Sequence, residues 1–401
     1  MKIVLISPVL PFPPNDGDRV RVFSILKGLA GKNRITLVSF MRRGGEKNIR
    51  PLKKYCDKIR TVYISKAEIM INAFLSLFTG LPLNAGAYKS SRMKKEIEKT
   101  LKEENPGLVF VYRLRMAPYA EKTSRPKVID IVDSLSLFMK RSSEYETSAF
   151  RKMYNAVDRP RVYAYERKMG RIFDAVFINS EEDAAFIGGK NITVAANGGY
   201  DVKTMPNVKR RMPNKKPATG NRQPAFVIGF FGNMDYRPNK EGIIYFYRKV
   251  WKKMCESDKS IKLAVVGDKS GAVKRAMRHP QAEIKGFAGD IEKEILKWDI
   301  CVVPVRYGAG RQNKIMQAWA CGVPVICSPF AAKGVYGKHG QNLLIAGSAK
   351  EFEKEINRLR TDKRLYAKLR ANGLKTLKKS FSWKKTGIII EKRIKKITGR
   401  R

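Results

Sequence analysis

Along most of the chain, short apolar runs alternate with longer segments whose apolar residues recur every three to four positions. The runs predict strands at "KIVLIS" (2–7), "RITLVSF" (34–40), "TVYIS" (61–65), "LVFVY" (108–112), "KVIDIVD" (127–133), "AVFINS" (175–180) and "ITVAAN" (192–197). Between them, helical spacing predicts helices at "VRVFSILKGLA" (20–30) and "MYNAVDRPRVYAYERKMGRIF" (153–173), the second interrupted near its start by Pro160. Residues 202–224 are polar, basic and proline-rich, a linker composition. Strand–helix alternation then resumes at "AFVIGFFG" (225–232), "IKLAVVG" (261–267), "AEIKGF" (282–287), "ICVVPV" (300–305), "PVICS" (324–328) and "NLLIA" (342–346). Helices are expected over 239–255, 290–298, 313–321 and 348–360. Such alternation belongs to parallel sheets covered by helices, so the chain reads as two Rossmann-like α/β domains. They are placed at 1–207 and 208–380, followed by a terminal helical segment, 381–401, that could cross back to the first domain.

In doubly wound sheets, ligands bind where strand ends meet helix starts, and three such loops carry suggestive chemistry. "PPNDGDRVR" (13–21) places Gly17 at a helix start, where backbone N–H groups favour an anion. "FFGNMDYRPNKEG" (230–242) joins an apolar strand to a helix through Gly232 and Asn233. "VVPVRYGAGRQNKIMQAWACGVPVI" (302–326) stops a buried strand at Val305, turns through Gly308 and Gly310, and puts Arg311 and Lys314 at a helix start. Cations there oppose the helix dipole. A diphosphate would reverse that penalty, since arginine and lysine make charge-assisted contacts to phosphate oxygens.

Composition narrows the field. The 401 residues carry 82 Lys+Arg against 36 Asp+Glu, a formal charge of +46. That excess suits solvated lysine-rich helix faces, and equally nucleic acid, an anionic membrane surface or a polyanionic substrate. A nucleic-acid-binding protein on an old enzyme fold would concentrate basic residues and exposed aromatics on one surface. Here the lysines spread over nearly every helix, and no specific nucleic-acid partner is expected. The five cysteines lack metal-type spacing and suit a reducing cytoplasm; His279 and His339 read as surface residues. There is no G-x-G-x-x-G, no phosphate-binding G-x-x-x-x-G-K-[ST] and no G-x-S-x-G nucleophile turn. The start has no signal-peptide pattern, and no run reaches the roughly 18 apolar residues of a spanning helix. The nearest, "AEIMINAFLSLFTGLPL" (67–83), has an apolar face flanked by lysines and arginines, which fits a peripheral anchor and equally a helix packed on the first sheet. Asp133, in "DIVDS", is the leading acidic candidate, while Glu166 in "YERKMG" reads as a salt-bridge partner.

With these residues in view, the chain resembles the retaining, two-domain family 4 glycosyltransferases. Within them it is most similar to the sugar transferases of exosortase/PEP-CTERM exopolysaccharide clusters. The likeness rests on "LPFPPNDGDRVRVFSILKGLA", "DIVDSLS", "YERKMGRIFDAVFINSEEDA", "AANGGYD", "GFFGNMDYRPNKEGIIYF", "GFAGDI" and "GAGRQNKIMQAWACGVPVICSPFAAKG". It implies the GT-B fold, with two Rossmann-like domains facing a central cleft, and a cytoplasmic enzyme at the inner membrane face. The resemblance further implies a nucleoside diphosphate sugar as donor and a saccharide or polyisoprenoid-linked acceptor, with neither metal nor other cofactor. Carried onto this chain, it sets Gly17 by the donor phosphates, Gly232 and Asn233 opposite, Phe287 and Ala288 at the base, and Gly310, Arg311 and Lys314 at the diphosphate. Asp133 falls on the acceptor side. The family's two glutamates, spaced E-x7-E, are replaced by Ala309 and Gln317; Gln317 can still bond a ribose hydroxyl, while Ala309 offers the sugar no side-chain contact.

Overall fold

Why the strands are apolar throughout is visible at their centre: β1 (Lys2–Ser7) runs between β2 (Arg34–Met41) and β4 (Leu108–Tyr112), covered on both faces. Val4, Ile6, Val109 and Val111 pack to one side and Ile3, Leu5, Leu108 and Phe110 to the other, the period-two division a buried parallel strand requires. The computed structural model describes residues 1–14, 16–146, 148–198, 225–268, 270–308 and 311–399. With β3 (Lys58–Tyr63), β5 (Lys127–Val132), β6 (Ala175–Ile178) and β7 (Ile192–Val194), the first sheet has seven parallel strands in the order β3-β2-β1-β4-β5-β6-β7. Its helices are α1 (Gly17–Ala30), α2 (Lys66–Leu75), α3 (Leu83–Ala87), α4 (Ser91–Glu104), α5 (Leu135–Ser143), α6 (Ala149–Ile172) and α7 (Glu181–Ile187).

The second sheet joins β8 (Phe226–Phe231), β9 (Ile261–Val266), β10 (Ala282–Lys285), β11 (Ile300–Val303), β12 (Val325–Cys327) and β13 (Leu344–Ile345) in the order β10-β9-β8-β11-β12-β13. Around it lie α8 (Arg237–Phe246), α9 (Lys252–Ser257), α10 (Gly271–Ala276), α11 (Ile291–Ile295), α12 (Asn313–Ala320), α13 (Pro329–Lys333), α14 (Ala349–Thr361) and α15 (Lys363–Ser380). A π turn over Tyr247–Trp251 links α8 to α9. Both sheets are doubly wound, with the strand order reversing between β1 and β4 and between β8 and β11. Ligand-binding loops are expected at those points. This is the GT-B class of fold, two parallel-sheet Rossmann-like domains.

The described residues up to Gly198, with those from Trp383 onward, form one compact unit, and those between form the other. The last helix, α16 (Trp383–Ile397), therefore belongs to the first unit. Ile390 and Ile394 bury beside Val22, Ile25 and Leu29 of α1. Gly28 and Gly387 face each other, so the two helix backbones approach closely, and Lys32 Nζ reaches Glu391 Oε1 at 2.9 Å. The linker expected over 202–224, with the 207/208 boundary inside it, lies outside the described residues.

Two expectations are corrected. Pro160 does not interrupt its helix: α6 runs unbroken from Ala149 to Ile172. Pro160 and Ala156 both lie on the exposed side, so the carbonyl that loses its N–H partner can turn to water. The third strand occupies Lys58–Tyr63 rather than 61–65. At this sheet edge Lys58 pairs with Glu104 at 2.6 Å and Arg60 with Glu96 at 2.8 Å, so polar residues extend a strand that hydrophobicity alone would start later.

Candidate functional site

In the second unit, the loops after β8 and β11 are knitted together by side chains. Gly232, following β8, has φ +152°, and a Cβ there would stand 2.7 Å from Asn239 Nδ2. Its carbonyl sits against Gly267, where a Cβ would come within 1.8 Å. Only glycines allow these two chain segments to lie so close. Asn239 then joins the loops. Its Nδ2 donates to the Asn233 carbonyl at 2.9 Å, and its Oδ1 accepts from Lys314 Nζ, also at 2.9 Å.

Lys314 is in the first turn of α12, with its ammonium inside the protein. Gln312 Oε1 accepts from it at 3.1 Å, so both of these contacts are neutral amide oxygens. Burial pulls its pKa down to about 8, and the nearby Cys301 only partly opposes this. A solvated basic helix start would look different. Here a cation is held where water solvates it poorly, so a negatively charged ligand gains unusually from pairing with it. Arg311 is also buried, its guanidinium 5.2 Å from the Tyr336 ring centroid and 5.3 Å from that of Phe381. Those two rings stack on each other at 5.6 Å. They hold the planar cation at its edge of the helix start.

Gln317 lies one turn beyond Lys314 and is buried. Gly308 has φ +147°, and a Cβ on it would meet the Tyr236 hydroxyl at 2.6 Å, so a glycine is required at that turn. Ala309 and Gly310 lie outside the described residues. Phe287 is 64% exposed in the loop after β10, while the adjacent Ala288 packs against the core. The structure thus joins the loop of Gly232 and Asn233 to Lys314 through Asn239, with Arg311 just before the same helix and Gln317 one turn further along it. It shows Phe287 and Ala288 on the loop after β10, which β9 separates from β8 in the sheet.

The first unit has its own polar cluster at the carboxyl ends of its central strands. Gly17 opens α1, exposed, with Asp16 as its cap accepting from Arg19 N at 2.8 Å. Arg21 is fully buried. It bonds both oxygens of Asp130, at 2.8 and 3.0 Å, and Asn197 Oδ1 at 2.7 Å. Asp18 takes two guanidiniums, a close one from Arg113 and a second from Arg115 at 3.5 Å. Burial, with Arg115 nearby, lowers the Arg113 pKa to about 10. Arg113 and Val132, the residues at the ends of β4 and β5, have φ +74° and +69°. Such a backbone is costly for a β-branched residue and marks the edge where a site is expected. Asp133 follows directly, half-buried, accepting from Asn179 Nδ2 at 3.3 Å.

Glu166 is not a salt-bridge partner. It is buried and closes the start of α5, accepting from Leu135 N at 2.7 Å, Ser136 N at 3.4 Å and the hydroxyls of Ser134 and Ser136. Burial raises its pKa to about 7. Sequence spacing could not find this contact or the Arg21–Asp130 pair, which join residues 30 and 109 positions apart. The "DIVDSLS" stretch carried the one available signal, a serine cap before an apolar helix. His339 is exposed and His279 half-buried edge-on to Trp251, each accepting a backbone N–H. No group of three His, Cys, Asp or Glu able to hold a metal occurs among the described residues.

Comparison with known proteins gives this arrangement a context. Residues 225–362, within the second unit, match the family model described as glycosyl transferases group 1. An uncharacterised 44.6 kDa protein in the cps region of Klebsiella pneumoniae is 22% identical over 366 residues, covering 88% of this chain and 90% of that protein. Among solved structures, the sucrose-phosphate synthase of Thermosynechococcus elongatus matches with a TM-score of 0.72 at 15% identity, over the full length of both chains. The Anabaena protein Alr3699/HepE, in complex with UDP and glucose, matches with a TM-score of 0.65 at 16% identity, over 99% of this chain and 100% of that one. A glycosyltransferase from Rickettsia africae matches at 0.63 and 15% identity, over 98% of each.

Proposed function

We propose that the chain is a retaining glycosyltransferase of family 4, moving a sugar from a nucleoside diphosphate sugar to a saccharide or polyisoprenoid-linked acceptor. The observation that carries this reading is Lys314, a buried ammonium held by two amide oxygens at a helix start, beside Arg311. As the bond from the sugar to the diphosphate breaks, negative charge grows on the departing oxygen. Two fixed cations and the N–H groups opening α12 stabilise that charge without reorganising. We assign the charge stabilisation to these groups rather than to a metal, so a chelator should leave turnover unchanged. Gln317 is assigned to a ribose hydroxyl of the donor, and Phe287 and Ala288 to its base. On the acceptor side, Asp133 is assigned to the hydroxyl that attacks, and Gly17 to close approach of the donor phosphates.

UDP in the Anabaena structure makes UDP-sugars the first donors to test. The cps-region relative supports a role in exopolysaccharide or other cell-surface glycan synthesis, in the manner of the exosortase-associated transferases. An acceptor of that sort would be met at the cytoplasmic face of a membrane, with the protein peripheral on anionic lipid. Among the described residues, no helix is long and apolar enough to cross a membrane. The test is direct. Pooled UDP-, GDP- and ADP-sugars are incubated with isoprenoid-linked acceptors, and mass spectrometry reads a product heavier by one glycosyl residue. Absence of both nucleotide binding and product from well-folded protein rejects the reading.

A further inference from the structure

Helix α6 is built inside out over its first half. Asn155 and Asp158 face the interior, while Phe150, Met153 and Val157 face solvent, Phe150 at 72% and Met153 at 59% exposure. Their spacing of three and four residues makes them one stripe on the outer face. Asp158 is turned inward for a reason: its Oδ1 accepts from Leu83 N at 2.9 Å, satisfying the start of α3. That bond ties α6 to the segment that follows α2. A second tie runs from Arg161 Nη2 to the Leu77 carbonyl at 3.3 Å.

The segment so attached is also apolar outward. On α2 and the turn after it, Ile71, Phe74 and Phe78 are exposed, Phe78 at 80%, with the two phenyl rings edge-to-face at 5.9 Å. Packing on the first sheet, one of the two expectations for this stretch, accounts for Ile69 but not for these residues. Isolated exposed apolar side chains are ordinary; large ones gathered on two bonded elements are not. Exposed cations lie on these elements and next to them: Lys66 opens α2, Arg92 of α4 pairs with Glu68 of α2 at 2.8 Å, and Arg151, Lys152 and Arg159 lie along α6.

We propose that this two-element face, α2 with its following turn and the first half of α6, docks on an anionic lipid bilayer. Aromatic and aliphatic side chains enter the headgroup–acyl boundary, and the cations beside them meet lipid phosphates. Charge separates this occupant from a second copy of the chain, because two chains of +46 each would bring like charges together around the contact. Protein interfaces also deplete lysine at their centres, whereas here cations alternate with apolar residues along α6 itself.

The inference rests on the membrane part of the function proposed above, and the two can fail separately, because vesicle binding needs no donor sugar. Flotation of the full chain is measured with phosphatidylcholine vesicles and with vesicles containing phosphatidylglycerol, at physiological and 1 M salt. The expected result is binding to the anionic vesicles that persists in part at high salt. Phe74→Ser with Phe78→Ser, and separately Phe150→Ser with Met153→Ser, should each lower partitioning by about tenfold at an unchanged melting temperature. Wild-type binding by both pairs, or binding that salt abolishes equally in all three proteins, overturns the proposal. Self-association that disappears in the variants would assign the face to a second copy and overturn it too. So would a large loss of thermal stability in both pairs, since the residues would then be core.

Discussion

Lys314 Nζ stands 2.9 Å from Asn239 Oδ1, and through that amide it is fixed to the loop after β8. The ammonium is thus positioned by a neighbouring loop rather than neutralised by a carboxylate. Its charge remains available to an anion.

Replacing Lys314 with alanine should therefore separate function from stability. Loss of a charge-assisted contact to phosphate is worth about 1.5–3 kcal/mol, read as a fall in donor kcat/KM. The melting temperature should hold or rise, because a poorly solvated charge has been removed. Arg311→Ala should lower donor kcat/KM similarly, but with some loss of stability, since its guanidinium packs on Tyr336 and Phe381. Unchanged donor kinetics in both variants would remove these cations from the site.

The same ammonium predicts a pH signature. With its folded pKa lowered to about 8, against an ordinary value near 10.5, the unfolded chain binds more protons between those limits. Stability relative to Lys314→Met should then rise as pH climbs through that window. Donor kcat/KM should move the opposite way, falling above pH 8 as the free enzyme loses its charge. Parallel pH profiles of wild type and Lys314→Met, by thermal unfolding and by initial rate, check both directions.

Gly232→Ala should weaken both properties together. The added methyl would collide with the Asn239 amide and impose a positive φ on alanine, a strain of about 1–3 kcal/mol. Asn239 would lose its hold on Lys314, so donor KM should rise along with a drop in melting temperature. Wild-type KM in a folded variant would show that the amide does not position the cation.

Gln317→Glu is expected to keep or improve activity, because a carboxylate accepts more strongly than an amide from two ribose hydroxyls. A folded variant with no activity would show that the amide's donor side is required. Initial-rate kinetics with the preferred donor decide this.

Glu166 carries a stability prediction of the opposite sign to Lys314. Its pKa is raised from 4.5 to about 7, so the folded chain binds more protons in between. The stabilisation is complete below pH 4.5 and is lost as pH rises through 7, by on the order of 3 kcal/mol relative to Glu166→Gln. Chemical denaturation of both proteins across that range measures the difference.

Much of this fold was legible in the sequence because buried parallel strands are apolar on both faces. β1, β4 and β8 therefore declare themselves within a residue at either end. The turns at Gly232 and Gly308, and the position of Arg311 and Lys314 where α12 begins, were legible too, since glycine punctuates such turns and a cation at a helix start contradicts local electrostatics. What escaped was pairing across the chain. Asn239 reads as an ordinary polar residue in a helix, and only the approach of β8 and β11 turns it into the support for a lysine 75 positions away. Asp158 and Glu166 escaped similarly, because an acid facing inward from a helix is indistinguishable from a solvated one until its amide partners are in place.

The most direct test is equilibrium binding of UDP and UDP-sugars to the wild type and to Lys314→Ala, measured by titration calorimetry below pH 8. The proposed function predicts saturable binding by the wild type and a loss of about 1.5–3 kcal/mol in the variant. Equal affinity in the two proteins, with product formed by both, would contradict the role given to this ammonium.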